Sequence, residues 1–131
     1  MKSFNDLGIN GKLDFPRIRK LLLIGVFASI LHITADFILG WGVKDESKSG
    51  ILAMLSAYTG TPDGGIFAAA ILGLVGTFLE SLCFFGIYRL IADRSQKFAH
   101  SYRSGIIGYL AFGACGFHVP VCAAVFLMKH G

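Results

Sequence analysis

The chain has 131 residues, enough for one domain, of which 54% are hydrophobic and only 15% are charged. A soluble domain has roughly a quarter charged residues, so this composition argues against a soluble protein and favours an integral membrane protein. The net charge is +4, but the basic residues lie in short blocks between apolar segments. We therefore expect the lipid bilayer, and no nucleic acid, as the partner.

Three apolar segments are each long enough to cross a bilayer, which takes about 20 helical residues. We predict transmembrane helices at about 17–42, 65–92 and 104–129. A shorter apolar segment at about 50–58 has a helical face but cannot span. We interpret it as an interfacial helix after the first span, placed as a lid over whatever lies below.

Local signals define where these helices begin. Asp14 is a typical N-cap and Pro16 suits a first turn, so the first helix is expected to begin near Phe15. Residues 61–65, which combine Thr, Pro, Asp and two Gly, predict a turn before the second span. In the third span, Pro120 is expected to kink the helix.

The distribution of Lys and Arg predicts the orientation. Nine of these 12 residues lie in the amino-terminal flank and between the second and third spans. By the positive-inside rule these flanks face the cytoplasm. Tyr88 and Tyr109 are then expected at the inner interface. The sequence thus predicts an all-α bundle of three transmembrane helices, a single transmembrane domain over 1–131, in a multi-pass protein of the bacterial inner membrane with a cytoplasmic amino terminus.

Each predicted span carries an ionisable residue close to its midpoint. These are His32 in the first span, Glu80 in the second and His118 in the third. Asp36 follows His32 by one helical turn, about 6 Å along the axis. An Asp at the centre of a membrane helix costs about 2.5–3.5 kcal/mol. Such groups should face protein, water or one another, so we expect the four to converge inside the bundle.

Helical spacing indicates which face of the first span packs against the others. Gly25, Ser29, His32, Asp36 and Gly40 follow one another at intervals of three or four. Small residues let helix backbones approach closely, so this face is predicted to be the packing face.

Two kinds of chemistry fit the cluster. His32, Asp36, Glu80 and His118 are suitable ligands for a metal, with zinc or iron the candidates. Alternatively, a metal-free acid–base site acts on a lipid-soluble small molecule. The candidate catalytic residues are Glu80 and Asp36, with Ser29 binding the substrate or orienting a ligand.

Two functions without such chemistry also remain open. A transporter or proton relay would need more than three helices, so that hypothesis includes a homo-oligomer. A non-catalytic interaction subunit would instead bind an additional membrane subunit. Its polar groups would join helices, at about 0.6–2 kcal/mol for each hydrogen bond.

Three segments carry a resemblance: ASILHITADFILGW, GLVGTFLESLCFFGIYRLI and GACGFHVPVCAAVF. They resemble the first three spans of uncharacterised polytopic bacterial membrane proteins, a domain of unknown function. The resemblance covers most of the chain after Lys20. It implies a bacterial membrane protein with further spans in longer relatives, and it implies no activity. We expect the chain to be either a short protein that oligomerises or the first half of a longer one.

Overall fold

The computed structural model describes residues 13–40, 45–113 and 118–131, and the regular elements within these ranges are all α-helices. They are, in chain order, α1 (Phe15–Gly40), α2 (Gly50–Gly60), α3 (Asp63–Arg94), α4 (Gln96–Gly113) and α5 (Val119–His130). The all-α prediction is confirmed.

Two of these helices, α1 and α3, are long and apolar enough to cross a membrane. Only 17% of the most apolar stretch of α1 and 28% of that of α3 is buried. Large side chains along them face outward, including Phe27 and Phe78, which are 55% and 67% exposed. The bounds of the two helices agree with the first and second predicted spans, except that residues 41–44 lie outside the described residues.

The third predicted span corresponds to two helices. It covers the last part of α4 and nearly all of α5, and residues 114–117 between them lie outside the described residues. Of the described helices, only α1 and α3 are long and apolar enough to cross on their own. α5 begins at Val119, which places Pro120 in its first turn. The kink predicted at Pro120 depends on residues 114–117 and stays a prediction. The third crossing stays a prediction.

α1 and α3 pack antiparallel. Leu21 contacts Gly86 towards the Arg94 end of α3, whereas His32 contacts Gly76 nearer the Asp63 end. The buried residues of α1 recur at intervals of three, four or seven, which is the spacing of one helical face: Ile18, Gly25, Ala28, Ala35 and Leu39. This face continues into a small apolar core shared with α3 and α5.

The observed packing face of α1 is rotated by about one residue from the predicted one. Ser29, Asp36 and Gly40 are exposed, although their spacing predicts that they pack. Ala28 and Ala35, only 0% and 1% exposed, take their place. Alanine in these positions lets the backbones of α1 and α3 approach, so packing selects the smallest side chains over the polar ones.

The helix ends follow the local signals in part. The backbone N–H of Arg17 donates to Asp14 Oδ1 at 3.1 Å, which confirms the predicted N-cap of α1. The short helix predicted at about 50–58 is confirmed as α2. Its position at a membrane surface stays a prediction. The turn predicted at 61–65 is shorter than expected, since only Thr61 and Pro62 separate α2 from α3.

A polar clasp joins the end of α5 to the start of α3. Lys129 Nζ lies 2.7 Å from Asp63 Oδ1 and donates to the backbone oxygen of Thr61 at 2.8 Å. His130 Nε2 lies 3.0 Å from Asp63 Oδ2. The clasp lies at the Asp63 end of α3, whereas α4 begins two residues after the Arg94 end. α4 and then α5 therefore contact α3 at successive positions from its end towards its start.

We expect Lys129→Met to lower the thermal unfolding temperature, since it removes both an ion pair and the hydrogen bond to Thr61 O. Lys48→Met is the matched control, because within the described part of the chain Lys48 forms only a local pair with Asp45, at 3.2 Å, with both side chains more than a third exposed. Such exposed pairs contribute little. Unfolding followed by circular dichroism in detergent measures both variants, and equal shifts would contradict the role of the clasp.

Candidate functional site

A cluster of polar side chains forms where α1, α3, α4 and the residue before α5 meet. We call it the polar cluster, and its members are His32, Asp36, Thr77, Glu80, Tyr109 and His118. The structure thus places the four predicted ionisable residues in one region. Whether they bind a ligand or perform chemistry stays a prediction.

His32 is held by the backbone and a hydroxyl of α3. Its Nε2 lies 3.1 Å from the carbonyl oxygen of Gly73 and 3.0 Å from Thr77 Oγ1. The Thr77 hydroxyl itself donates to Gly73 O at 2.9 Å. Because a carbonyl oxygen can only accept, this arrangement favours a proton on Nε2 of His32. The other ring nitrogen, Nδ1, is then left for Glu80.

Glu80 lies between His32 and Tyr109. Its Oε2 is 3.4 Å from His32 Nδ1 and accepts a hydrogen bond from the Tyr109 hydroxyl at 2.8 Å. The side chains of His32 and Glu80 are only 16% and 19% exposed. Two bare lone pairs would repel at this distance, so the contact is favourable when one proton belongs to the pair, as imidazolium or as carboxylic acid.

The ring of His118 extends the cluster towards Asp36. It stacks on the ring of His32, with centroids 5.2 Å apart and planes 12° from parallel. The side chains of Asp36 and His118 line one cavity. Asp36 is itself exposed, so this end of the cluster is open to the surroundings.

Two cavities adjoin His118. One has a volume of about 310 Å³ and is lined by Asp36, Leu39, Tyr58, His118 and Val121. The other has a volume of about 340 Å³ and is lined by Thr77, Tyr109, Phe112, Gly113 and His118. Each combines apolar walls with a few polar groups, the usual composition of a small-molecule site. α2 contributes Tyr58 to the first cavity, which agrees with its predicted position over the cluster.

Two glycines of α3 make room for the two rings. A Cβ atom at Gly76 would lie 2.6 Å from His32 Cδ2, and one at Gly73 would lie 2.5 Å from His118 Cγ. These separations are shorter than van der Waals contact, so any larger residue would displace the rings. Both positions are therefore part of the site, although neither has a polar side chain.

Two partners in the cluster are not predicted from the sequence. Tyr109 is predicted at a membrane interface but instead donates to Glu80. Gly73 binds His32 through its backbone carbonyl, which has no signature in the sequence.

Ser29 does not contribute to the cluster as predicted. It is exposed, and its hydroxyl donates to the carbonyl oxygen of Gly25 in the preceding turn at 3.1 Å. α1 turns Ser29 away because Ala28 and His32 occupy the face towards α3.

The geometry gives the metal hypothesis no support. Among the residues that the structure describes, no group of three or more His, Cys, Asp or Glu is placed to hold a metal ion. Nε2 of His32 is engaged by Gly73 and Thr77, and its Nδ1 faces Glu80. His32 therefore contacts Glu80, His118 and α3, and the four predicted ligands do not converge on a common point.

Comparison with known proteins identifies a family and no function. Residues 1–131 match a family described as "Family of unknown function (DUF6796)". No curated protein and no solved structure matches the chain.

Proposed function

The chain belongs to this family of unknown function, DUF6796, and we propose from its geometry that it is an integral membrane protein with an intramembrane acid–base site. The site acts on a lipid-soluble small molecule. His32 and Glu80 exchange the proton, and the cavities beside His118 admit the molecule. The observation that carries the proposal is the contact of 3.4 Å between His32 Nδ1 and Glu80 Oε2.

The placement in a membrane rests on the apolar surfaces of α1 and α3. A third crossing is supported by three contacts spaced along α3, namely Tyr109 with Glu80, His118 with Gly73, and Lys129 with Asp63. The chain therefore follows α3 from its middle to its start while passing through α4 and α5.

Alkaline phosphatase fused after Gly131 should be active outside the cytoplasm, and a fusion after His100 should be inactive. An inactive fusion after Gly131 would contradict three crossings.

The acid–base assignment rests on the contact between His32 and Glu80. An ionisable residue inside a membrane is costly and marks a functional site by default. Here a carboxyl group, an imidazole and a phenol form one chain of contacts next to open cavities. Such a pair can accept a proton from one atom of a bound molecule and return it to another.

Deuterium exchange tests this activity even though the substrate is unidentified. Membranes containing the protein are incubated in D₂O, and the extracted lipids are compared by mass spectrometry with those from membranes lacking it. A proton-exchanging site should add deuterium to one class of lipid-soluble molecule. We expect His118→Ala to abolish this incorporation, because it removes a wall of both cavities and the ring stacked on His32. His100→Ala, an exposed residue of α4, should have no effect.

A proton relay is the second candidate, favoured by the row of titratable groups that runs from Tyr109 through Glu80 and His32 to His118, which lines a cavity with Asp36. Proteoliposomes loaded with a pH-sensitive dye would distinguish the two. Proton flux without deuterium incorporation would favour the relay over the acid–base site. Neither signal, together with a membrane protein that copurifies in fixed ratio, would favour an interaction subunit.

A further inference from the structure

A groove separate from the polar cluster lies between α1 and α3 near the Arg94 end of α3. It has a volume of about 270 Å³ and is lined by Asp14, Arg17, Ile18, Leu21, Leu82, Phe85 and Arg89. Four of these seven side chains are apolar and two carry a guanidinium group. The groove is therefore amphipathic, with an apolar wall and a positive rim.

The balance of charge in the groove favours an anion. Arg17 is exposed and Arg89 is half-buried. Among the described residues, Asp14 is the single acid that lines the groove, and one of its oxygens accepts a hydrogen bond from the backbone N–H of Arg17 in capping α1. Guanidinium groups bind phosphate through paired hydrogen bonds. A carboxylate has no hydrogen to donate to a phosphate, so the two arginines are the groups that would bind it.

The apolar wall requires the ligand to have a hydrocarbon part. Ile18 and Leu21 pack against Gly86 of α3, so the wall is formed where the two helices approach closely. A second groove of about 800 Å³ adjoins it on α1, where Arg19 and Lys20 flank a row of apolar side chains. Positive residues thus flank apolar surface on both sides of α1 at this end of the bundle.

We propose that the groove between Arg17 and Arg89 binds an anionic phospholipid, with the phosphate on the two guanidinium groups and an acyl chain along Leu21, Leu82 and Phe85. The proposal rests on the membrane placement proposed above. In that placement these arginines lie at the cytoplasmic leaflet, where anionic lipids attract basic residues. A free phosphate would use the rim and leave the apolar wall without a partner.

The test uses the full chain in nanodiscs of phosphatidylcholine, with fluorescent phosphatidylglycerol or fluorescent phosphatidylcholine as probe. Wild type should retain phosphatidylglycerol in preference to phosphatidylcholine. Arg17→Gln and Arg89→Gln should each weaken that preference roughly fivefold to tenfold, because each removes charge-assisted hydrogen bonds to the phosphate and not merely a charge near the membrane surface. Arg103→Gln, an exposed residue of α4 with the same change of charge, should leave it unchanged.

Three results would overturn the proposal. These are an absence of preference in wild type, equal effects of the groove variants and Arg103→Gln, and displacement of the lipid by millimolar inorganic phosphate. Leu82→Trp fills the apolar wall without changing the charge and should also weaken retention, which keeps the test valid if an arginine variant folds poorly. Failure of wild type to insert into nanodiscs would instead contradict the membrane placement, so the two failures are distinguishable.

Discussion

Replacing Glu80 with Gln is expected to abolish proton exchange at the polar cluster while the protein still inserts and folds. Both contacts are made by Oε2 of Glu80. An NH₂ group in its place can donate one hydrogen to Nδ1 of His32 and the other to the hydroxyl oxygen of Tyr109. The contacts that organise the cluster at 2.8 Å and 3.4 Å are therefore preserved in shape. The amide cannot take up or release the proton, and loss of an acid–base group reduces rates by about 10²–10⁴-fold.

Deuterium incorporation in membranes measures this effect, and the yield of protein in the membrane fraction measures insertion. Glu46→Gln is the matched control, since Glu46 is exposed in the segment between α1 and α2. Incorporation that survives Glu80→Gln at the wild-type level would show that the His32–Glu80 contact only joins helices.

The second large effect is expected from adding a single methyl group in α3. In Gly76→Ala the new Cβ would lie 2.6 Å from His32 Cδ2 and 3.3 Å from the carbonyl oxygen of Ala28. Since the backbone of α1 restricts movement on one side, the imidazole ring must shift and lose its contacts with Gly73 and Thr77. Overpacking of this kind costs about 1–3 kcal/mol of folding free energy. Proton exchange should fall together with stability.

Gly64→Ala separates this clash from the general effect of replacing glycine in a helix. Gly64 lies in the same helix, and no atom lies within 4 Å of the Cβ built there. Alanine favours a helix over glycine by about 1 kcal/mol, so this variant should be neutral or slightly more stable. Unfolding in detergent compares the two variants. A Gly76→Ala protein as stable as Gly64→Ala would contradict the close packing of His32 against α3.

The sequence was most informative about features that follow from composition and length. The apolar segments predict α1 and α3 closely, and Asp14 with Pro16 predicts the start of α1. The midpoints of the segments also predict that His32, Glu80 and His118 lie near one another, as their contacts show. These inferences succeed because hydropathy and helical rise act on each helix separately, whatever its neighbours are.

The features that were missed depend on how helices pack. The packing face of α1 is rotated by about one residue because the small side chains of Ala28 and Ala35 pack against α3. The polar residues Ser29 and Asp36 predicted a neighbouring face, and both are exposed. Tyr109 reaches Glu80 only because α4 turns back along α3. The carbonyl of Gly73 binds His32 through backbone atoms that every residue possesses, so its identity gave no signal.

Nitrogen-15 NMR of histidine-labelled protein in nanodiscs tests the central claim most directly, namely that His32 and Glu80 hold one proton between them. The His32 signals are identified by their loss in His32→Gln. In wild type we expect a protonated Nε2 that is hydrogen-bonded to the carbonyl oxygen of Gly73. In Glu80→Gln we expect the Nδ1 signal to shift to that of a bare nitrogen or of a neutral hydrogen-bond acceptor. A His32 ring with a bare Nε2, or with signals that are the same in wild type and Glu80→Gln, would contradict it.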